Sequence, residues 1–244
     1  MLPFPHAPLL HPAPLTVGET IRLDGRAAAA LRFRQINVSE AFTLGDSTGR
    51  WFRASLRACS DRGADARIYE EMASSPESPL DLTLVCAVLA RQRMMVVVQK
   101  ATELGVVKIV PVLTDHSVDA AGLEHEKAHA WSNQVGRACK QCRRGSVPLL
   151  EEPVPLTEAL QAPLWQRTEG RWFLDDRIGE ASPAARVGNS VLLAVGPEGG
   201  WSDREVVRLQ EAQARPLRLG GRVLRAETAV LAGLVLVQHW WGDL

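Results

Sequence analysis

Residues Val195-Gly196-Pro197-Glu198-Gly199-Gly200-Trp201-Ser202 leave a short apolar run, Val191 to Val195, and enter a segment that Ser202 and Glu205 mark as a capped helix start. A loop at the carboxyl end of a buried strand is where open α/β sheets bind ligands. Its three glycines permit positive φ and let backbone amides approach a bound group. A plain tight turn uses the same residue types. The spacing is neither G-x-G-x-x-G nor a P-loop, so a Rossmann dinucleotide or nucleoside triphosphate site has no support. A second stretch, Leu217 to Ala229, repeats the plan: short strand, Gly220-Gly221, then a long apolar helix with Arg225 and Glu227 at its start. Compensation of the helix dipole accounts for Glu227. It accounts less well for Arg218, Arg222 and Arg225 within eight residues.

A third pattern, His125-Glu126-Lys127-Ala128-His129, spells the HExxH zinc signature, and Cys139 and Cys142 follow on the same predicted helix. Cys139 lies about 15 Å beyond His129 along a straight helix, so one continuous helix cannot bring all four groups to one ion. No metal is expected. A fourth pattern, Gln134 to Gly145, is strongly basic, either because cations favour a helix C-terminus or because the patch meets phosphates. Lys127 to Leu150 holds five basic groups and no acid.

These segments need elements to hold them. Thr20–Leu23, Phe42–Leu44, Trp51–Leu56 and Ala66–Tyr69 read as short strands, with a Gly-containing hairpin turn at 45–49, which suggests a small barrel or sandwich. Ser74 to Pro79 reads as a linker. The rhythm then changes to alternation: strand Leu80–Leu89, helix Gln92–Leu104 ended by Gly105, strand Val106–Leu113, a long helix Leu123–Cys142, and a strand near Val147. A short helix at Leu156–Leu160 and strands at Trp172–Leu174, Val191–Val195 and Leu217–Leu219 follow, with a last helix at Ala226–His239. Continuous apolar strands alternating with helices predict an α/β domain on a mostly parallel sheet.

The length allows one large domain or a small one joined to a medium one, and the change of rhythm near Ser74 to Pro79 favours two. The 244 residues are 46% hydrophobic and 23% charged, which excludes disorder. The proline-rich start lacks a basic n-region and no apolar run is long enough to span a bilayer, so a cytoplasmic protein without membrane association is expected. Four cysteines in a chain of this length imply no disulfide framework. Formal net charge is zero, but only four of the 28 basic residues are lysine, and arginine's planar fork suits phosphate.

Taken together, Gln99 to Val106, Cys139 to Pro148 with Gln141 and Arg143, Gly196 to Gly200, and Leu219 to Ala229 resemble the RsmE family, the 16S ribosomal RNA (uracil-N3)-methyltransferases of the SPOUT superfamily. His11-Pro12 and Leu31-Arg32-Phe33-Arg34 resemble the family's N-terminal part, so the likeness covers nearly the whole chain. The resemblance implies an N-terminal PUA-like β-barrel for RNA over 1–75. It implies a C-terminal SPOUT α/β trefoil-knot domain over 80–244, and a homodimer acting on the small ribosomal subunit. It implies S-adenosylmethionine held by Leu174, by Val195, Gly196, Pro197, Gly199 and Gly200, and by Leu219, Gly220, Val223 and Leu224. Arg225 and Glu227 would handle the uracil. Arg32, Arg34 and the basic patch of Arg137, Lys140, Gln141, Arg143 and Arg144 would grip 16S rRNA. The chain departs from the family at Ala27–Ala30, where a His is frequent, at His116, where an Arg is frequent, and at Ala90-Arg91-Gln92-Arg93. Two alternatives belong to other classes: a zinc hydrolase using His125, Glu126 and His129, and a non-catalytic RNA-binding protein on the same fold.

Overall fold

The computed structural model describes residues 2–124, 126, 128–178 and 188–244. These form two compact units: Met1–Glu77 with Val135–Pro148, and Ser78–Gln134 with Leu149–Leu244.

In the first unit, β1 (Thr20–Asp24), β2 (Ala41–Gly45), β3 (Trp51–Ser60) and β4 (Gly63–Glu71) pair antiparallel in the order β1-β4-β3-β2. Along β1, Ile21 and Leu23 are buried and the residues between them exposed, which is the pattern of a strand with one dry face. Leu31, Leu44, Phe52, Leu56 and Ile68 fill the core. The β2–β3 turn is built on Asp46. Its buried carboxylate accepts from the amides of Leu15, Thr48 and Arg50 and from the Thr48 hydroxyl. Gly49 supplies the positive φ of +83°.

One helix was not anticipated. α1 (Gly25–Phe33) starts where the Asp24 carboxylate accepts from the Ala27 amide at 2.7 Å. An N-cap followed by four alanines, the best helix formers, is a sufficient local reason.

The second unit carries a parallel sheet ordered β11-β9-β10-β5-β6-β7, with β8 also on β6. Its strands are β5 (Asp81–Ala87), β6 (Lys108–Leu113), β7 (Leu149–Leu150), β8 (Val154–Pro155), β9 (Gly170–Leu174), β10 (Ser190–Val195) and β11 (Arg215–Leu217). Leu82 to Ala87 and Val191 to Val195 are buried along their whole length, as strands covered on both faces must be. The helices are α2 (Arg91–Glu103), α4 (Leu156–Gln161), α5 (Pro163–Arg167), α6 (Asp203–Glu211) and α7 (Ala226–Trp241). The α6 capping box forms as read, with Ser202 and Glu205 bonded reciprocally.

Three expectations change. The long helix is shorter: α3 spans Trp131–Cys142, preceded by 3₁₀ turns at Ala120–Leu123 and Ala128–Ala130. Asp119 accepts from the Gly122 amide and caps the first turn, so local side-chain bonding competes with a continuous helix. The strand expected at 217–219 ends at Leu217, where pairing with Leu174 ends, leaving Leu219 in a loop. The strand near Val147 is Leu149–Leu150, paired to Lys108 and Ile109.

α3 ends on Arg143, whose φ of +65° is left-handed, with the Arg144 amide donating to the Cys139 carbonyl at 3.1 Å. Glycine normally occupies that position. Arg143→Gly should therefore stabilise the protein by about 0.5–1 kcal/mol, because the exposed Arg143–Glu70 pair it removes contributes little. A rise in the urea midpoint at constant m-value checks this.

Candidate functional site

The carboxyl ends of three neighbouring strands, Leu174 of β9, Val195 of β10 and Leu217 of β11, open onto one cleft of about 810 Å³. That is within the usual range of small-molecule clefts, about 300–1,000 Å³. All ten residues expected to hold a cofactor line it, as does Arg225. They come from three loops that the sheet order sets side by side.

The first loop turns tightly, with the Gly200 amide donating to the Pro197 carbonyl at 2.9 Å and Gly200 at φ +71°. Gly196 is a packing requirement of another kind: a Cβ there would lie 3.1 Å from the Trp201 ring. A Cβ on Gly199 would lie 3.0 Å from His116. A side chain at either position would crowd Trp201 or His116, so the loop presents bare backbone at the strand end, which fits a cofactor gripped by backbone atoms rather than by long side chains. Trp201 is buried, and its indole N–H donates to the Leu174 carbonyl at 2.9 Å. It therefore clamps the first loop to the β9 terminus.

Lining groups that were not among the expected site residues include Arg93, His116, Asp175 and Arg177. Arg93 projects from the first turn of α2 and ion-pairs with Glu198. Its Nε also lies 3.8 Å from Glu227. The Glu198 hydrogen bond, with Glu227 a lesser contributor, holds the Arg93 guanidinium above its ordinary value. Glu227 does not line the cleft, and its Oε2 is buried with no hydrogen-bond partner. His116 Nδ1 lies 3.2 and 3.0 Å from the carbonyls of Gly199 and Gly200, so that nitrogen carries the proton. Asp175 lies just past β9 and pairs with Arg177 at 3.0 Å. Arg177 also donates to the Trp201 carbonyl at 3.1 Å. The pairing of Arg93 with Glu227 joins residues 134 positions apart, so no local spacing announces it.

Asp115, beside His116, accepts from Ser202 and, through both oxygens, from Arg204 at 2.6 Å. Its amide donates to Glu205. The Arg204 bonds, then Ser202, hold its carboxyl down at about 2. A depressed folded-state value contributes stability above the ordinary aspartate range that is lost as pH falls from about 4 to 2. Asp115→Asn should flatten the Tm profile across that window and leave neutral-pH stability lower by no more than about 1 kcal/mol, since Arg204 is exposed.

The described residues give the zinc alternative no support. His129 sits in the 3₁₀ turn Ala128–Ala130. His125 lies outside the described residues. Among the described residues no group of three His, Cys, Asp or Glu is placed to hold a metal. Burial pushes the Cys139 thiol up to about 12, which disfavours the thiolate a metal needs.

The expected RNA contacts divide. Arg32, Arg137, Gln141 and Arg143 are exposed. Lys140 is half-buried, bonded to the Gln35 carbonyl at 2.6 Å and to Glu40 at 2.8 Å. Arg34 and Arg144 must be corrected, because they face inward. Arg34 donates to the carbonyls of Gly145, Pro5 and Ala7, and burial pushes its guanidinium below the ordinary value. Arg144 is 6% exposed and pairs with Glu77 at 3.1 Å. Both serve the packing of their own unit.

A family model described as an RNA methyltransferase domain matches residues 76–238. A ribosomal RNA small subunit methyltransferase E from Aquifex aeolicus is 29% identical over 86% of this chain and 90% of its own length. Among solved structures, the Neisseria gonorrhoeae ribosomal RNA small subunit methyltransferase E bound to S-adenosyl methionine superposes with a TM-score of 0.69 at 30% identity, covering 98% of this chain and 100% of that one. A Legionella pneumophila methyltransferase in complex with the same cofactor gives 0.65 at 30% identity, covering 95% and 96%. A glycine cradle at three parallel strand ends, a family match over two thirds of the sequence and this full-length likeness agree: the chain belongs to the RNA methyltransferase family, as a member of its ribosomal RNA small subunit methyltransferase E branch.

Proposed function

We propose that the protein is an S-adenosylmethionine-dependent methyltransferase that modifies N3 of one uridine in 16S rRNA of the small ribosomal subunit. The observation that carries this reading is the cleft at Leu174, Val195 and Leu217, whose glycines fit a backbone-held cofactor. Two full-length relatives are described with that cofactor bound.

When bound, the cofactor supplies an electrophilic methyl group on a sulfonium. The chain's own task is to hold that methyl in line with the uracil nitrogen, and positioning of this kind supplies much of the acceleration. Backbone groups of Gly196, Gly199, Leu219 and Leu224 are assigned to that grip. The N3 proton must leave; the sequence assigns Glu227 as its acceptor, and its carboxylate stands off the cleft lining, 3.8 Å from Arg93 Nε. Arg225, at the α7 N-cap and on the cleft wall, is assigned to the charge that develops on the ring. The target base must be unstacked to reach the cleft. RNA is assigned to the exposed Arg32, Arg137, Gln141 and Arg143, with Lys140 at their edge; phosphate contacts of this kind need accessible cations.

The antiparallel unit is read as a PUA-like barrel and the parallel unit as a SPOUT trefoil knot, acting as a homodimer in the cytoplasm. The sequence resemblance supports these finer points. Sedimentation of the purified chain tests the dimer. No helix among the described residues is long and apolar enough to cross a membrane.

The deciding experiment is transfer of labelled methyl from S-adenosylmethionine to undermodified small subunits, with the modified base identified by mass. Label on a uracil N3 is expected, and no transfer overturns the reading. Within it, Glu227→Gln should lower kcat by about 10²–10⁴-fold with cofactor affinity unchanged. Full activity in that variant removes Glu227 from the role.

A further inference from the structure

Within the first unit a second cavity, of about 30 Å³, is lined by basic side chains from three segments: Arg34, Arg53, and Lys140 with Arg144. Two of these have acids. Lys140 meets Glu40 at 2.8 Å and Arg144 meets Glu77 at 3.1 Å. Arg34 and Arg53 have no ion pair among the described residues, and Arg53 is only 7% exposed. Its guanidinium makes one hydrogen bond, Nη1 to the Thr43 hydroxyl at 2.8 Å. Its Nε is buried without a partner, and so is the Nε of Arg34.

A buried guanidinium without a counter-charge is costly, and an unmade bond at Nε adds to that. Two such groups on the wall of one cavity repel each other unless something negative lies between them. The space admits about two waters. That suits one compact oxyanion and excludes a nucleobase. Guanidinium forks match the paired oxygens of a phosphate. Thr43 orients the Arg53 fork, since its own hydroxyl is fixed by donating to the Arg143 carbonyl at 2.7 Å.

We propose that Arg34, Arg53 and Arg144 form an oxyanion site for one free inorganic phosphate, since these cations face inward rather than toward an RNA backbone. The site is separate from the cofactor cleft and does not depend on the reaction assigned there.

Thermal unfolding of the full chain in inorganic phosphate, against sodium gluconate of matched ionic strength, tests the site. At about ten times the dissociation constant, phosphate should raise Tm by about 3–5 °C. Arg53→Met keeps the packing of the stem, so the variant should match the parent in gluconate and lose the phosphate response. Equal Tm in the two salts for the parent overturns the proposal, as does an undiminished response in the variant. Should the variant not fold, phosphorus NMR of inorganic phosphate decides on the unmodified protein: line broadening that saturates supports the site, and unbroadened lines overturn it. Binding of a 16S-derived RNA hairpin tests the identity of the ligand. With free phosphate as the ligand, RNA binding is the same in variant and parent, and only the parent shows the Tm response. If phosphate competes with the hairpin and Arg53→Met reduces the salt slope by about 1, the occupant is an RNA phosphodiester and the proposal is overturned.

Discussion

Glu77→Ala is expected to destabilise the protein by about 3–5 kcal/mol, because it leaves the Arg144 charge buried without its partner. The Glu77 carboxylate is shared among four groups of the 144–146 segment. One oxygen accepts from the amides of Gly145 and Ser146 at 2.8 and 2.9 Å. The other accepts from Arg144 at 3.1 and 3.3 Å and from the Ser146 hydroxyl. Removing it therefore orphans two backbone donors as well as a guanidinium that is 2% exposed at the side chain. Glu77→Gln keeps the shape and one acceptor oxygen, so it should cost roughly half as much. Urea unfolding measures both. A loss below about 1 kcal/mol for the alanine variant would mean that water replaces the carboxylate without penalty, and the account of Arg144 as a buried packing residue would fail.

Trp201→Ala should have a comparable cost, about 3–5 kcal/mol, with a second readout. The ring backs Gly196, its N–H holds the Leu174 carbonyl, and its carbonyl accepts from Arg177. Loss of the ring removes the support of the Gly196 loop and its tie to the β9 terminus together. Cofactor affinity should then fall at least tenfold even at temperatures where the variant remains folded. Trp201→Phe isolates the tie, since it keeps most of the ring and leaves the Leu174 carbonyl unpaired. It should cost about 1–3 kcal/mol and weaken cofactor binding less. An alanine variant with normal affinity, measured calorimetrically, would show that the loops hold their shape without the clamp.

The parallel sheet was legible because strands covered on both faces need unbroken apolar runs, and Val191 to Val195 is one. The cleft was legible because a glycine loop there follows a buried strand at the sheet edge where open α/β folds bind ligands, although a plain tight turn uses the same residue types. Glu205 could be read as a cap since its partner Ser202 is three residues away. α1 was missed because its alanines carry no hydrophobic periodicity; only Asp24 and intrinsic propensity mark it. Arg34 and Arg144 were misread for a different reason. Arginine reads as surface unless its partners are known, and theirs come from residues as distant as Pro5, Glu77 and Gly145. Arg93 escaped similarly, since its two acids lie more than a hundred residues further along the chain.

The first unit is assembled from Met1–Glu77 and Val135–Pro148. That has a consequence for the protein's birth on the ribosome. At about 5–20 residues per second, several seconds of synthesis separate the emergence of Glu77 from that of its Arg144 and Ser146 partners. Throughout that interval the nascent sheet carries an unsatisfied carboxylate and an open seam, and chaperones or proteases meet it in that state. A fragment cut at residue 77 would be held in the same condition permanently. Supplied in trans, a peptide of residues 135–148 would complete it, as the missing piece of an interrupted translation.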